Sequence, residues 1–364
     1  MITHLSIQNF KSLRKLNLEL KPLNLLMGLN GMGKSSLVQA LLILRQSRDL
    51  QVGLVNLNDY MVQLGEGRDA MYQYSKEDFI RIAFTEDDKH ELSWTMAYEP
   101  EAQELVADNA YPFNGLQDFS LFSTNFQYLK AERSAPQDEY RMSSLEVGRD
   151  GQIGIDGEYA IHYLNQFGTD EVPEALRHPA AKSPFLLAQV DAWMGEISPG
   201  IKFNTSKIQG LNKIVLDIQF EAAGGFTNRF RPKNVGFGLT YVLPVVVALL
   251  STKQNRLIII ENPESHVHPR GQAEMGKLIA LSAAAGAQLI IETHSDHVLN
   301  GIRVAVKNTL IPSQKVGLYY FEKRNTAEEQ FTRATTIGID QNGVLSDYPE
   351  NLLDEWSNQL LKLL

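Results

Sequence analysis

Gly28-Leu29-Asn30-Gly31-Met32-Gly33-Lys34-Ser35 has the spacing of a phosphate-binding P-loop: a glycine, four residues, then Gly-Lys-Ser. The flanks fit. An apolar run, Leu23 to Met27, predicts a buried strand before the loop, and Ser36 to Gln46 has the apolar spacing of a helix after it. Glycines let backbone N–H groups turn inward on an anion, and the helix N-terminus adds the positive end of its dipole. The loop offers Asn30, Gly31, Gly33, Lys34, Ser35 and Ser36 to a phosphate chain. Lys34 is placed to reach the β- and γ-phosphates of ATP, and Ser35 to ligate Mg²⁺.

Composition narrows the rest. The chain has 364 residues, 43% of them hydrophobic, which is enough for a sizeable core. A net charge of −9 argues against broad, sequence-independent DNA binding, although a local basic groove stays open. With no cysteine, thiolate metal sites and cysteine nucleophiles are excluded. The start, Met1-Ile-Thr-His-Leu-Ser-Ile7, lacks the features of a signal peptide, and the longest apolar run, Tyr241 to Leu250, is too short to span a bilayer. The expectation is a cytoplasmic protein with no membrane contact.

Three segments are expected. Residues 1–70 carry alternating strands, Ile2 to Ile7 and Leu16 to Leu20, then the loop. Residues 71–230 read as an insert of mixed strands and helices, with strands at Ile80–Phe84, Leu92–Trp94 and Ile214–Phe220. Turn signals punctuate it at Tyr111-Pro112, Asp150-Gly151 and Asp156-Gly157. Residues 231–364 return to strand–helix alternation: a helix from Leu239 to Leu250, a buried strand from Arg256 to Ile260, a helix from Gln272 to Ala285, a strand from Gln288 to Ile291 and a helix from Val298 to Val306. Such alternation implies α/β architecture with a parallel sheet.

That last segment holds a second constellation. Leu257-Ile-Ile-Ile-Glu261 puts an acid at a strand end, where it can hold Mg²⁺ through water. Asn262-Pro263-Glu264 follows, and one strand later comes Thr293-His294-Ser295, with a histidine able to meet a γ-phosphate or an attacking water. Upstream, Gly236-Phe237-Gly238-Leu239-Thr240 opens a helix with two glycines and a hydroxyl, a second anion site. Because the chain already has a P-loop, this site suits a γ-phosphate bound by a partner subunit.

Taken in order, the P-loop, the Gly-x-Gly-x-Thr helix, the acidic strand end and Thr-His-Ser resemble ABC-type ATPases, and within them the branch that holds SMC, RecF and the OLD (overcoming lysogenization defect) family. Leu5-Ser-Ile-Gln-Asn-Phe10-Lys-Ser-Leu13 is similar to that branch's first strand, and Glu261 through Pro269 to its Walker B and D-loop stretch. Tyr128-Leu-Lys-Ala-Glu-Arg133-Ser-Ala-Pro136 resembles a segment of OLD-like bacterial ATPases, and Ile337 through Pro349 an uncharacterised C-terminal domain found on some of them. The resemblance implies a P-loop NTPase head with an ABC-like mixed sheet and flanking helices. It implies a homodimer closed face to face around two ATP molecules, with Lys34 and Ser35 of one chain opposite Gly236, Gly238 and Thr240 of the other. Gln63 would be the lid glutamine that senses Mg²⁺.

Three positions depart from the pattern: Glu261 stands where aspartate is commoner, Asn262 where the catalytic glutamate is usual, and Thr240 where serine is usual. Asn262 matters most, since an amide orients water but accepts no proton from it. Glu264 is then the alternative base, or hydrolysis is slow. A zinc reading of His266, His268, His294 and His297 is the lesser one, and Asp340 and Asp347 are too isolated for a nuclease. The leading expectation is an ATPase that senses or regulates a separate effector, in bacterial anti-phage defence. A RecF-like DNA-repair ATPase and a non-hydrolysing scaffold that binds ATP to hold a dimer are the alternatives. The basic run Arg229, Arg231, Lys233 could touch DNA but reads better as a solvated hairpin end.

Overall fold

The computed structural model describes residues 1–48, 53–87, 91–108, 115–349, 352 and 360–363, so the turn expected at Tyr111-Pro112 lies outside the described residues. The elements run β1 (Ile2–Phe10), β2 (Leu13–Glu19), β3 (Leu23–Met27), α1 (Lys34–Gln46), β4 (Leu54–Asn56), α2 (Gly67–Ala70), β5 (Phe79–Glu86), β6 (Leu92–Ala97) and β7 (Glu104–Asp108). They continue with β8 (Phe126–Leu129), β9 (Tyr140–Arg141), α3 (Ala160–Phe167), α4 (Leu186–Ile197), β10 (Ile201–Lys207), β11 (Lys213–Ala222), β12 (Gly225–Phe226) and α5 (Phe237–Leu250). Last come β13 (Leu257–Glu261), α6 (Pro269–Ala284), β14 (Gln288–Glu292), α7 (Asp296–Lys307), β15 (Val316–Asn325) and β16 (Gln330–Ile337).

Two compact units divide these elements. The first comprises 1–126, 316–339 and 345–364; the second comprises 127–315 and 340–344. Their borders differ from the segment ends read at 70 and 230, because β5, β6 and β7 pair into the N-terminal sheet.

In the first unit that sheet has the order β2-β1-β5-β6-β7-β4. Period-two alternation drives it: β1 buries Ile2, Leu5 and Ile7, and β2 buries Leu13, Leu16 and Leu18. Beneath it Phe84 and Trp94 stack at 5.9 Å and 24°, with Phe122 tilted against both. Separately, β3 pairs parallel with β15, and β15 antiparallel with β16. All five residues of β3 are buried, including Asn24, whose side chain closes the preceding turn by accepting from Lys21 N (2.7 Å) and donating to Lys21 O (2.6 Å). Helix α1 is buried nearly all round, as a helix inside a large head must be.

In the second unit β13 and β14 pair parallel from Leu257↔Gln288 to Glu261↔Glu292, with β8 on the far side of β13. Their apolar runs are buried on both faces, as strands covered by helices are. Helix α5 is buried from Thr240 to Leu250, and α6 packs along α7 with Gly276 and Gly301 at the crossing. The parallel register places Glu261 and Glu292 side by side at one sheet edge, where the chain turns toward Asn262 and Thr293.

Candidate functional site

The P-loop lies in the first unit, between the C-terminal end of β3 and the N-terminus of α1. Gly28, Gly31 and Gly33 all take positive φ (134°, 74° and 96°), a region closed to most L-residues, so their N–H groups turn into the loop. Contacts sharpen the need. A Cβ on Gly28 would stand 2.3 Å from Phe321 O, and one on Gly33 would meet Thr332 Oγ1 at 2.5 Å and Ser12 Oγ at 2.7 Å. Thr332, buried on β16, donates to Met32 O (3.0 Å), and its Oγ1 is also hydrogen-bonded to Ser12 Oγ (2.8 Å). Strand β16 and the β1–β2 turn therefore brace the loop from behind. Lys34, 3% exposed, donates from Nζ to Gly28 O (2.8 Å) and Leu29 O (2.9 Å), which holds its ammonium over the loop. Gln63 is exposed, in the stretch between β4 and α2.

The second constellation lies in the second unit and is built from four elements. Glu261, at the end of β13, accepts from Tyr128 Oη (3.0 Å) and from Ala131 N (3.4 Å). Burial raises the Glu261 pKa; the Tyr128 hydrogen bond, then Ala131, Arg133 and Lys130, oppose the rise. Burial and the carboxylate also raise the Tyr128 pKa, so its hydroxyl stays a donor. Arg133 reaches past this pair to the backbone: Nη2 donates to Glu261 O (2.5 Å), and Nη1 and Nη2 donate to Asn262 O (3.3 and 3.2 Å). Burial lowers the Arg133 pKa to about 10, which leaves it cationic at neutral pH.

Asn262 takes φ 45° and its N–H donates to Glu292 O (2.8 Å). Glu264 accepts from His294 N at 2.9 Å through Oε1. Among the described residues, the buried acceptors Asn262 Oδ1 and Glu264 Oε2 have no protein donor. Buried oxygens of this kind are ordinarily satisfied. The His294 side chain is exposed. His268, by contrast, caps α6 by accepting from Arg270 N, and Ser295 caps α7 by accepting from Val298 N.

The helix-opening motif divides its work. Gly236 has open space around its Cβ position, whereas a Cβ on Gly238 would stand 2.3 Å from His266 O. Gly238 is thus a close-approach residue. Thr240 is buried and its hydroxyl donates to Phe237 O (3.1 Å) in its own helix, a common local bond for such a residue. His266, at φ 64°, packs edge-on against Phe237 and Tyr241, each ring centroid 4.9 Å away. Tyr241 in turn donates to Ala131 O and accepts from Arg133 N (3.0 Å).

Does this chain suit ATP and Mg²⁺? On the loop, inward N–H groups, a helix N-terminus and a buried ammonium suit a phosphate chain. Ser35 and Glu261 are hard oxygen donors, which Mg²⁺ takes in ones and twos beside phosphate and water. Among the described residues no group of three or more His, Asp or Glu could hold a metal ion by itself. Sequence reasoning missed Ser12, Thr332 and Tyr241 and assigned no role to Tyr128 or Arg133. The one signal available was a tyrosine and an arginine in a quoted segment with nothing to do.

A family model described as "AAA domain, putative AbiEii toxin, Type IV TA system" matches residues 23–300, and a model of a protein of unknown function, DUF3696, matches 311–363. The second match accords with the uncharacterised C-terminal domain expected from the tail. Among curated proteins, the DNA replication and repair protein RecF of Actinobacillus pleuropneumoniae is 28% identical over 120 residues, 33% of this chain, and the chain spans about 30% of that relative's length. Among solved structures, an Smc head domain with an extended coiled coil, bound to the C-terminal domain of ScpA and derived from Pyrococcus furiosus, superposes with a TM-score of 0.54 at 12% identity, covering 100% of this chain and 99% of that one. An SMC head bound to the C-winged helix domain of ScpA gives 0.53 at 12% identity, covering 92% and 98%. These likenesses carry the fold, an ABC-type ATPase head of the SMC and RecF kind. Since the first family model spans well over half of the 364 residues, the chain belongs to the family of AAA domains described as putative AbiEii toxins of type IV toxin–antitoxin systems.

Proposed function

We propose that this chain binds and hydrolyses ATP, dimerises around it, and acts as sensor or regulator of a separate effector, in anti-phage defence. The observation that carries the catalytic part is the loop itself: three left-handed glycines, two of them backed by atoms that exclude any side chain, and Lys34 held over them. Asn30, Gly31, Gly33, Lys34, Ser35 and Ser36 hold the phosphates. In the first unit Ser35 is the Mg²⁺-side hydroxyl and Gln63 the lid glutamine; in the second, Glu261 is the Mg²⁺-side acid. Bound Mg²⁺ supplies charge neutralisation on the phosphate oxygens.

Glu264 is the general base. Its Oε1 is fixed by His294 N while its Oε2 is buried without a protein donor, which leaves one oxygen for a water. Asn262 orients that water and His294 meets the γ-phosphate. Gly236, Gly238 and Thr240 serve the partner protomer's nucleotide, with Gly236 N–H on the open side. The regulatory part is supported by the family's description, since a toxin–antitoxin system works through a second component. We place it in the cytoplasm; none of the described helices is long and apolar enough to cross a membrane.

The test is ATP turnover by the purified chain, with Lys34→Ala and Glu264→Gln beside it. Turnover in wild type and neither variant supports the reading; equal silence in all three removes hydrolysis and leaves the scaffold. Pulldown from the native host tests the effector, and recovery of nothing above background would remove it. The DNA-repair reading rests on the RecF likeness and has less behind it. In the basic run Lys233 is paired with Asp138 (2.6 Å) and Arg229 with Asp217 (3.7 Å), which takes charge away from a phosphate backbone. Salt-sensitive, ATP-dependent DNA binding would restore it.

A further inference from the structure

The geometry points to Arg133 as a positioning residue that holds the Glu261–Asn262 backbone and ties it to the start of α5; this rests on the proposed ATPase reading. Arg133 is 5% exposed, and among the described residues it meets no carboxylate oxygen within hydrogen-bond reach. Its guanidinium instead spends its donors on two consecutive carbonyls, Glu261 O and Asn262 O, and lies over the Tyr241 ring at 5.2 Å. Its Nε is buried without a partner. A cation desolvated with one donor unmet is poor packing material, since an apolar residue of similar volume would serve the fold as well or better. Its placement is explained by what it holds.

Two consequences follow from that grip. Fixing the Glu261 and Asn262 carbonyls sets the left-handed turn at Asn262, which delivers Glu264 to His294 N two residues on. The planar fork matters here, because one flat group reaches both carbonyls while stacking on a ring; an ammonium does not. The second consequence concerns α5. Tyr241 donates to Ala131 O, accepts from Arg133 N and packs on Phe237 and His266, and a Cβ on Gly238 would strike His266 O. Phe237, at the helix start, is 42% exposed. A displacement of the α5 start therefore passes through Tyr241 to Arg133 and so to the carbonyls beside Glu261. The segment from Tyr128 to Arg133 works as one brace: Tyr128 and Ala131 on the carboxylate, Arg133 on the backbone behind it.

The experiment uses the full chain as wild type, Arg133→Lys, Tyr241→Phe and the double variant. Binding of a fluorescent ATP analogue is measured with and without Mg²⁺, beside turnover and the thermal unfolding midpoint. Arg133→Lys is expected to keep Mg²⁺-free affinity, to lose about tenfold of the tightening that Mg²⁺ gives, and to lose about 10–100-fold in turnover, as supporting residues behind a metal ligand do. Tyr241→Phe should move the same readouts less, and the double variant should be no worse than Arg133→Lys alone, because both break one chain of contacts. Wild-type values in Arg133→Lys overturn the proposal, as does parallel loss of Mg²⁺-free and Mg²⁺-bound affinity, which marks a packing role. Additive effects in the double variant overturn the link to α5. A wild-type chain that binds no nucleotide overturns the ATPase reading and this proposal with it, whereas wild-type binding with an unaffected Arg133→Lys overturns this proposal alone.

Discussion

Gly28, Gly31 and Gly33 carry the left-handed turns of the phosphate loop, whereas the turn after Glu261 puts Asn262 (φ 45°) and His266 (φ 64°) in the same region of backbone space. Glycine enters that region at little steric cost, so the loop is shaped largely by its own chain. An ordinary L-residue enters it at about 1–2 kcal/mol, asparagine more easily than most. The second turn is therefore imposed by neighbours: Arg133 on the carbonyls of Glu261 and Asn262, Glu292 O on the Asn262 amide, and the rings of Phe237 and Tyr241 on His266. One region is written into eight consecutive residues. The other is assembled from distant segments, such as Tyr128 with Glu261, 133 residues apart in the chain. A locally shaped loop suits a ligand common to many proteins, while a turn held from outside can respond to whatever moves its supports.

The comparison breaks most visibly at Lys34. Lys34→Ala should lower turnover by about 10²–10³-fold, the usual effect of removing one donor aimed at developing charge, while leaving the loop's glycine geometry in place. A smaller loss would mean that backbone N–H groups dominate phosphate binding. Next are two glycines of one loop. Gly28→Ala meets both positive φ and the Phe321 carbonyl, and should cost about 3 kcal/mol or more in denaturant unfolding; Gly31→Ala meets only φ, with nothing within 4 Å, and should cost about 1–2 kcal/mol. Equal costs would show that the backing by β15 is soft.

Asn262 sharpens the contrast from the other side. Asn262→Ala should destabilise by about 1 kcal/mol and Asn262→Gly should not, because alanine keeps the Cβ at φ 45° and loses the short amide side chain that eases that conformation, whereas glycine has no Cβ. If both are neutral, Arg133 and Glu292 hold the turn without strain. The smallest effect is a pH dependence. Burial lifts the Glu261 pKa in the folded chain, so the carboxylate form is disfavoured there; this group's cost is present above the folded pKa and is relieved as pH falls through it. Tyr128→Phe removes a bond to the charged form, so the acid limb of the turnover–pH profile should move further up. A limb that stays in place or moves down would show that Glu261 does not set it.

Much of the fold was legible because its signals are local. Leu23–Met27 was read as a strand and is β3 residue for residue, and the helix read over Ser36–Gln46 is α1 begun two residues earlier. The strands at Ile80, Leu92, Ile214, Arg256 and Gln288, and the helices from Leu239, Gln272 and Val298, all lie where the apolar periods put them, with ends that differ by at most three residues. The compact units were not legible, since periodicity names strands but not their partners: nothing in Phe79–Glu86 says that it pairs with β1. The hydrogen bond from the Thr240 hydroxyl to Phe237 O within its own helix was likewise not legible, because it is set by the local turn geometry.

By itself, the sequence determined the phosphate loop, its flanking strand and helix, and the acids at Glu261 and Glu264, because spacing along one segment sets those positions. Tertiary structure alone decided what stands behind them. Thr332 and Ser12 back the loop, and Tyr128, Ala131 and Arg133 hold the Glu261 turn. Hydrogen bonds between distant segments leave no period in the chain, and a buried arginine finds its carbonyls only after the strands that carry them have packed.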